Sequence, residues 1–313
     1  MASVYQKKIT ICICTYNNYA LLYGCLQRLA NQSIEFNEYD VLIMDNSPSE
    51  YTEKSLNCRK LCKKYKNFMY IHKNTDGLSG ARNACVELVT TELIHFIDDD
   101  TLVDYDFVNN TLECFSMYTN LSVMGGKVIP NWSLTKRPNW ITEKLLGYLS
   151  MLDFGDKELW YGERHGMWFV GANICFRTKS ILKYGGFSNN LGRKAWSRSL
   201  LGSEEMELIY KMTQNEEIIY NPKCIVNHIV QPDRMNQSWF IKRVAWQSVS
   251  DVMTGSFYLE EPGEWSDHKF GYDFIQDNIN LLFTETDDGV TFEKKLRVVQ
   301  ILSFWVLNDF KIK

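Results

Sequence analysis

Glu92-Leu93-Ile94-His95-Phe96-Ile97-Asp98-Asp99-Asp100 carries an apolar run straight into three consecutive carboxylates. Leu93, Ile94, Phe96 and Ile97 suit a buried strand, whereas three adjacent anions repel one another and prefer water. The carboxylates therefore belong at the strand's carboxyl end, opening onto a crevice, which is where an open α/β sheet binds its ligands. Carboxylates held close together suit a hard divalent cation, and Mg2+ or Mn2+ shares such ligands with substrate phosphates. An acidic run standing alone reads at least as readily as a solvated turn. What the run accompanies decides between the two.

Upstream, Lys7-Lys8-Ile9-Thr10-Ile11-Cys12-Ile13-Cys14-Thr15 reads as a buried strand and Tyr16-Asn17-Asn18 as the turn after it. Leu22, Cys25, Leu26 and Leu29 then fall on one face of a helix over 20–29. Asp40-Val41-Leu42-Ile43-Met44 is a second strand, ending in Asp45-Asn46-Ser47-Pro48. A polar helix over 50–66, a strand over 68–72, a helix over 78–89, the acid-tipped strand, a helix over 106–118 and a strand over 123–129 follow. This alternation predicts βαβ units and a Rossmann-like, mainly parallel sheet flanked by helices. Residues 130–167, with Trp132, Trp140 and Trp160, break the rhythm and read as an irregular excursion. A strand over 168–177, a short helix over 180–184, a helix over 203–212 with Ser203 as N-cap, and short strands over 217–220 and 224–229 complete the pattern. Beyond 236 the sequence turns helical. The expected division is an α/β domain over 1–235, in halves of 1–130 and 131–235, followed by a helical extension over 236–313.

The 313 residues carry a net charge of −4 and are 45% hydrophobic, which fits a packed globular protein. A general nucleic-acid binder needs a basic face to neutralise phosphates, so nucleic acid is not an expected partner. Ile9 to Cys14 is too short for a signal-peptide core, and no later apolar run reaches membrane length. The nine cysteines include no Cys-x-x-Cys pair. This argues against structural zinc and fits reduced thiols in a cytoplasmic protein, there or at the inner membrane face.

Four polar clusters end the first four strands: Thr15/Asn17, Asp45, Asp76 to Asn83, and Asp98 to Asp100. In a parallel sheet these ends share one edge, so the clusters should converge. Asp45 ends its strand as a nucleoside-reading acid would, or as a plain turn-former. Gly77-Leu78-Ser79-Gly80-Ala81-Arg82-Asn83 opens a helix whose N-terminus favours anions, with Arg82 as a cation for a diphosphate or as a solvated side chain. The stretch is not Gly-x-Gly-x-x-Gly and follows the third strand, which argues against a nicotinamide dehydrogenase.

Ile11-Cys12-Ile13-Cys14-Thr15-Tyr16-Asn17, Asp45, Gly80-Ala81-Arg82-Asn83, Asp98-Asp99-Asp100, Gly171-Ala172-Asn173-Ile174-Cys175-Phe176-Arg177 and Ser203-Glu204-Glu205-Met206-Glu207-Leu208 together resemble the family 2 glycosyltransferases of GT-A fold, over residues 7 to about 230. The resemblance implies inverting, metal-dependent transfer of a sugar from a nucleoside diphosphate sugar, UDP-sugars foremost, to a glycan, lipid-linked or other hydroxyl acceptor in surface polysaccharide synthesis. It places Thr15, Asn17, Asp45, Asp76, Arg82, Asp98 and Asp99 on the nucleotide sugar, and Asp100 with His228 on Mn2+ or Mg2+. Three acids in a row leave Asp99 free to take either duty. The family's base is the Asp of a Glu-Asp pair at a helix start. Here the pair is Glu204-Glu205, with Glu205 the base of choice. Consecutive helical residues point about 100° apart, so one of the two faces the acceptor. Glu207, and Glu204 if it is not the base, then read as dipole-favoured acids on a surface helix. Trp168, Trp196 and His165 are acceptor-side candidates, since sugar rings pack on aromatic faces. A nucleotidyltransferase and a non-catalytic nucleotide-sugar binding protein are the rival readings. The first would carry a basic, Gly-rich loop after strand one, which Thr15-Tyr16-Asn17-Asn18 lacks. Self-association and peripheral membrane contact through the C-terminal helices stay open.

Overall fold

The computed structural model describes residues 7–49, 52–194, 199–255 and 268–311. The chain divides into two compact units. One comprises the described residues of Met1–Asn131, Met151–Ser197 and Glu204–Ile229, and the other those of Trp132–Ser150, Arg198–Ser203 and Val230–Lys313.

The first unit is built on one mixed sheet. Its opening strands are β1 (Ile9–Thr15), β2 (Tyr39–Asp45), β3 (Phe68–His72) and β4 (Leu93–Asp98). They alternate with helices α1 (Tyr19–Leu29), α2 (Glu53–Cys62) and α3 (Gly77–Leu88). β-Branched side chains fill β1, and Ile9, Ile11 and Ile13 are fully buried. Each such side chain contributes roughly 1.5–3 kcal/mol when removed from water. The face of α1 that packs inward is the predicted one, Leu22, Cys25, Leu26 and Leu29, joined by Tyr19. α2 is shorter than expected because Thr52 and Ser55 form a capping box that sets its start.

Short strand β5 (Thr101–Val103), helix α4 (Phe107–Met117), strand β6 (Leu121–Asn131), the two-residue strand β7 (Leu159–Trp160), strand β8 (Asn173–Arg177), helices α5 (Thr178–Lys183) and α6 (Glu204–Met212), and strand β9 (Glu217–Ile229) complete the unit. Among the described residues the sheet order is β3-β2-β1-β4-β8-β6-β9-β5, with β7 beside β9. β1 pairs parallel to β2 on one side and β4 on the other. The chain therefore winds outward from β1 in both directions, and a crevice opens at the carboxyl ends of β1 and β4. β8 is antiparallel to both β4 and β6, so the parallel run is interrupted there.

Three details depart from the sequence reading. β5 follows directly on the acidic run, where the sequence pattern shows no strand. The strand expected over 168–177 begins at Asn173. The two late strands are one, β9, whose register against β6 jumps between Gly126↔Asn221 and Lys127↔Ile225. Pro222 cannot donate to a ladder, and the irregularity absorbs it.

In the second unit, helix α7 (Gln237–Thr254) starts at Asn236, whose side chain accepts from the Trp239 amide at 2.8 Å. Helices α8 (His268–Asn278) and α9 (Gly289–Lys311) follow. Its core is a ring cluster: Trp140 meets Phe240 at 5.2 Å and Phe292 at 4.9 Å, edge to face. Trp140 is thus a core residue. Among the described residues no helix is long and apolar enough to cross a membrane.

Candidate active site

The turns that follow the first four strands are hydrogen-bonded to one another. Thr15 Oγ1 donates to Asp99 Oδ2 at 2.6 Å, and Asn18 Nδ2 to Asp99 Oδ1 at 2.8 Å. The Asn17 amide, in a residue of left-handed backbone (φ 55°), donates to Ser47 Oγ at 2.8 Å. Asn46 then links the second turn to the third. Its Oδ1 accepts from the Thr75 amide at 2.6 Å and its Nδ2 donates to the Gly77 carbonyl at 3.3 Å. The predicted convergence on one sheet edge is what the chain builds. Asn18 and Asn46, which do much of the linking, carry no signal in the sequence beyond being polar turn residues.

The three acids separate in function. Both oxygens of Asp99 go to the turn after β1, so Asp99 is bound up in holding the edge together. Burial pushes its pKa up to about 8, with the Asp100 charge adding to the rise. Asp98 lies 3.5 Å from Arg82 Nη2, and burial raises its pKa despite that guanidinium. Asp100 reaches His228 Nε2 at 3.3 Å. The backbone explains that contact. β5 pairs antiparallel with β9, Thr101 stands opposite His228, and the Ile229 amide donates to the Asp100 carbonyl at 2.8 Å. One ligand atom from each of Asp98, Asp100 and His228 lies within 4.8 Å of the others. His228 is 2% exposed, and among the described residues its Nδ1 has no hydrogen-bond partner. Two carboxylates and an imidazole, Asp98 part-exposed and Asp100 and His228 buried, fit a Mn2+- or Mg2+-sized cation.

Helix α6 begins with Glu204 and Glu205, which share the Arg82 guanidinium with Asp98. Arg82 Nη1 donates to Oε1 of both, at 2.8 and 2.7 Å. The Gly171 amide donates to the same Glu205 oxygen at 3.0 Å. A Cβ on Gly171 would stand 1.9 Å from Arg82 Nη2 and 2.2 Å from Glu205 Oε1, so glycine is required for this close approach. Burial alone would lower the Arg82 pKa. The charges of Glu205, Glu204 and Asp98 outweigh it and hold the guanidinium protonated. Glu204 is 2% exposed, which corrects its reading as a surface acid. Burial, then the Glu205 charge, push its pKa up to about 7, partly offset by Arg82. Glu207 pairs with Lys211 at 2.5 Å, one helical turn on.

Other predicted residues lie differently. Asp45 is fully buried. Its oxygens accept from the Ser47 hydroxyl at 2.5 Å, Tyr70 at 2.6 Å and Tyr19 at 3.2 Å. Asp76 pairs with Lys194 at 2.5 Å. Trp168 is half-buried, His165 is exposed, and Trp196 lies outside the described residues.

The profile of Glycosyl transferase family 2 matches residues 10–175, from the first strand through the middle of β8. The chain belongs to that family. It is a glycosyltransferase, and the nucleotidyltransferase reading falls away. This family 2 glycosyltransferase is 24% identical over 270 residues to a glucosyl-dolichyl phosphate glucuronosyltransferase of Haloferax volcanii, a match covering 85% of this chain and 82% of that one. It is 25% identical over 156 residues to the poly(ribitol-phosphate) β-N-acetylglucosaminyltransferase TarP of Staphylococcus aureus, covering 50% of this chain and 46% of TarP. Among solved structures, the mannosyltransferase PcManGT of Pyrobaculum calidifontis, in complex with GDP-Man and Mn2+, superposes with a TM-score of 0.62 at 14% identity. That match covers 96% of this chain and 88% of PcManGT. S. aureus TarS residues 1–349, in complex with UDP, superposes at 0.56 and 13% identity, covering 96% and 90%. These likenesses establish the GT-A fold.

Proposed function

We propose that this family 2 glycosyltransferase is a metal-dependent inverting enzyme. It moves a sugar from a nucleoside diphosphate sugar, UDP-sugars foremost, to a hydroxyl of a phosphate-bearing glycan or lipid-linked acceptor in surface polysaccharide or glycoconjugate synthesis. The observation that carries this reading is a pair of sites that Arg82 links in the first unit: the cation-fitting Asp98, Asp100 and His228 corner, and Glu205 held at the start of α6. The acceptor class is supported by the two relatives, whose names specify glucosyl-dolichyl phosphate and poly(ribitol phosphate). The donor class is supported by the GDP-Man and UDP complexes of the neighbours.

The interlinked turns after β1, β2 and β3 form the nucleoside end. Thr15 and Asn17 present it, Asp45 fixes the Tyr19, Ser47 and Tyr70 hydroxyls beneath it, and Asp76 borders it. Asp99 holds the first turn in register with β4. A divalent cation held by Asp98, Asp100 and His228 would neutralise the charge that builds on the departing diphosphate. Glu205 takes the proton of the acceptor hydroxyl as its oxygen bonds to the anomeric carbon, on the face opposite the leaving group, and the configuration inverts. Trp168 and His165 stand on the acceptor side.

Differential scanning fluorimetry with UDP, GDP, dTDP or CMP, each with Mn2+, Mg2+ or EDTA, tests the reading. A ligand at about 100 times its Kd adds about 2.7 kcal/mol. A rise in melting temperature with one nucleotide, abolished by EDTA and by Asp100→Ala, is the expected result. No shift with any nucleotide in either metal would sink the donor-site assignment.

A further inference from the structure

We propose that Arg82 is a positioning residue for Glu205, acting with the Gly171 amide and Glu204, and is not the cation for the donor's diphosphate. The inference rests on the reading of Glu205 as the base. Arg82 makes a set of contacts that a diphosphate-binding arginine would not make.

A cation awaiting a diphosphate has to offer its donors to the ligand. The Arg82 side chain is 3% exposed, and its guanidinium is already surrounded by three carboxylates. Nη1 is shared by Glu204 and Glu205, Nη2 faces Asp98, and the group lies 5.5 Å from the centre of the Phe187 ring. To reach a diphosphate, Arg82 would have to abandon the buried Glu204 and the 12%-exposed Glu205, leaving each without its counter-charge.

The contacts also have a direction. Both donors that reach Glu205, Arg82 Nη1 and the Gly171 N–H, end on Oε1. Among the described residues none reaches Oε2. One oxygen is thus pinned by two fixed donors while the other is left to accept a proton, which is the arrangement a base needs. Glu204 supplies the second carboxylate, and its own Oε2 is buried with no partner among the described residues. It anchors Nη1 from the other side and fixes the angle at which the guanidinium meets Glu205. A lysine at this position would be a point charge without the planar fork. The absence of a side chain at Gly171 lets the two groups meet.

The test is a double-mutant cycle with isothermal titration of UDP and of GDP in Mn2+, and steady-state release of the same diphosphate from its sugar donors. Glu205→Gln should lower kcat by about 10²–10⁴-fold with diphosphate affinity kept. Arg82→Lys should lower kcat by roughly 10–100-fold, the scale of a displaced catalytic group, again with affinity and donor KM within about twofold. The double variant should be no slower than Glu205→Gln alone, because Arg82 acts through Glu205. Glu204→Gln, which keeps a carbonyl oxygen for Nη1, should show the same split of lowered kcat and unchanged KM, and serves where Arg82→Lys folds poorly by its melting curve. Diphosphate affinity falling tenfold or more in Arg82→Lys, or additive losses in the double variant, would overturn the proposal and return Arg82 to the diphosphate. A wild-type enzyme that binds and turns over no nucleotide sugar would fail at the earlier step, removing the base assignment and this inference together.

Discussion

Asp98, Asp99 and Asp100 leave the end of β4 in different directions, and each meets partners from a different part of the chain. Asp99 turns towards β1 and finds Thr15 and Asn18. Asp98 lies beside Arg82, and Asp100 beside His228 on β9. The ambiguity of three equal acids is thus resolved by neighbours. An asparagine can replace Asp99 and keep both contacts, its Oδ1 accepting from Asn18 and its Nδ2 donating to Thr15 Oγ1. Asp99→Asn should therefore retain the EDTA-sensitive thermal shift with nucleotide, whereas Asp98→Asn and Asp100→Asn should lose it. If fluorimetry shows the shift gone in Asp99→Asn as well, Asp99 belongs with the cation ligands.

At the scale of elements, a buried polar knot joins β4, β6, β8, β9 and α4. Asn173 Nδ2 donates to the carbonyls of Lys127 and Cys224, which leaves its Oδ1 to accept from His95 Nε2 at 2.9 Å. The other His95 nitrogen meets Thr111 Oγ1 at 3.3 Å. Gly126 is small because a Cβ there would lie 2.2 Å from Asn173 Nδ2. Burial lowers the His95 pKa from 6.5 to about 4, so the folded protein holds a neutral ring. The unfolded chain binds a proton near pH 6.5 that the native state refuses. Stability is therefore full above pH 6.5 and is lost as pH falls towards 4, by up to about 3 kcal/mol. In His95→Gln, which keeps a donor for Asn173, urea unfolding at pH 7 and at pH 4 should show that part of the acid sensitivity removed. An unchanged difference between the two pH values would mean that the ring is charged in the fold.

For the whole molecule, the described site residues share one unit, while Trp140, Phe240 and Phe292 build the core of the other. Phe240 is fully buried, and Phe240→Ala should cost about 3–5 kcal/mol. The nucleotide-induced thermal shift should survive on the lowered baseline. Its loss, with the fold otherwise retained by circular dichroism, would show that the second unit contributes to donor binding.

Local pattern carried a great deal. The order of β1 to β4, the inward face of α1, the position of the acidic run at a strand end and the shared edge of the four turns all follow from periodicities of two and 3.6 and from turn chemistry. These act over a few residues and are written in the chain itself. What the chain could not disclose was partnership across long separations. Arg82 meets Glu205 from 123 positions away, Thr15 meets Asp99 from 84, and His228 meets Asp100 only because β5 pairs antiparallel with β9. A side chain in water has no preferred partner. The packed sheet removes that water, and once desolvated each charge must find a counter-charge or donor within reach. That requirement, imposed by tertiary structure alone, buried Asp45 and Glu204, drew Arg82 onto the two glutamates and sorted the three aspartates.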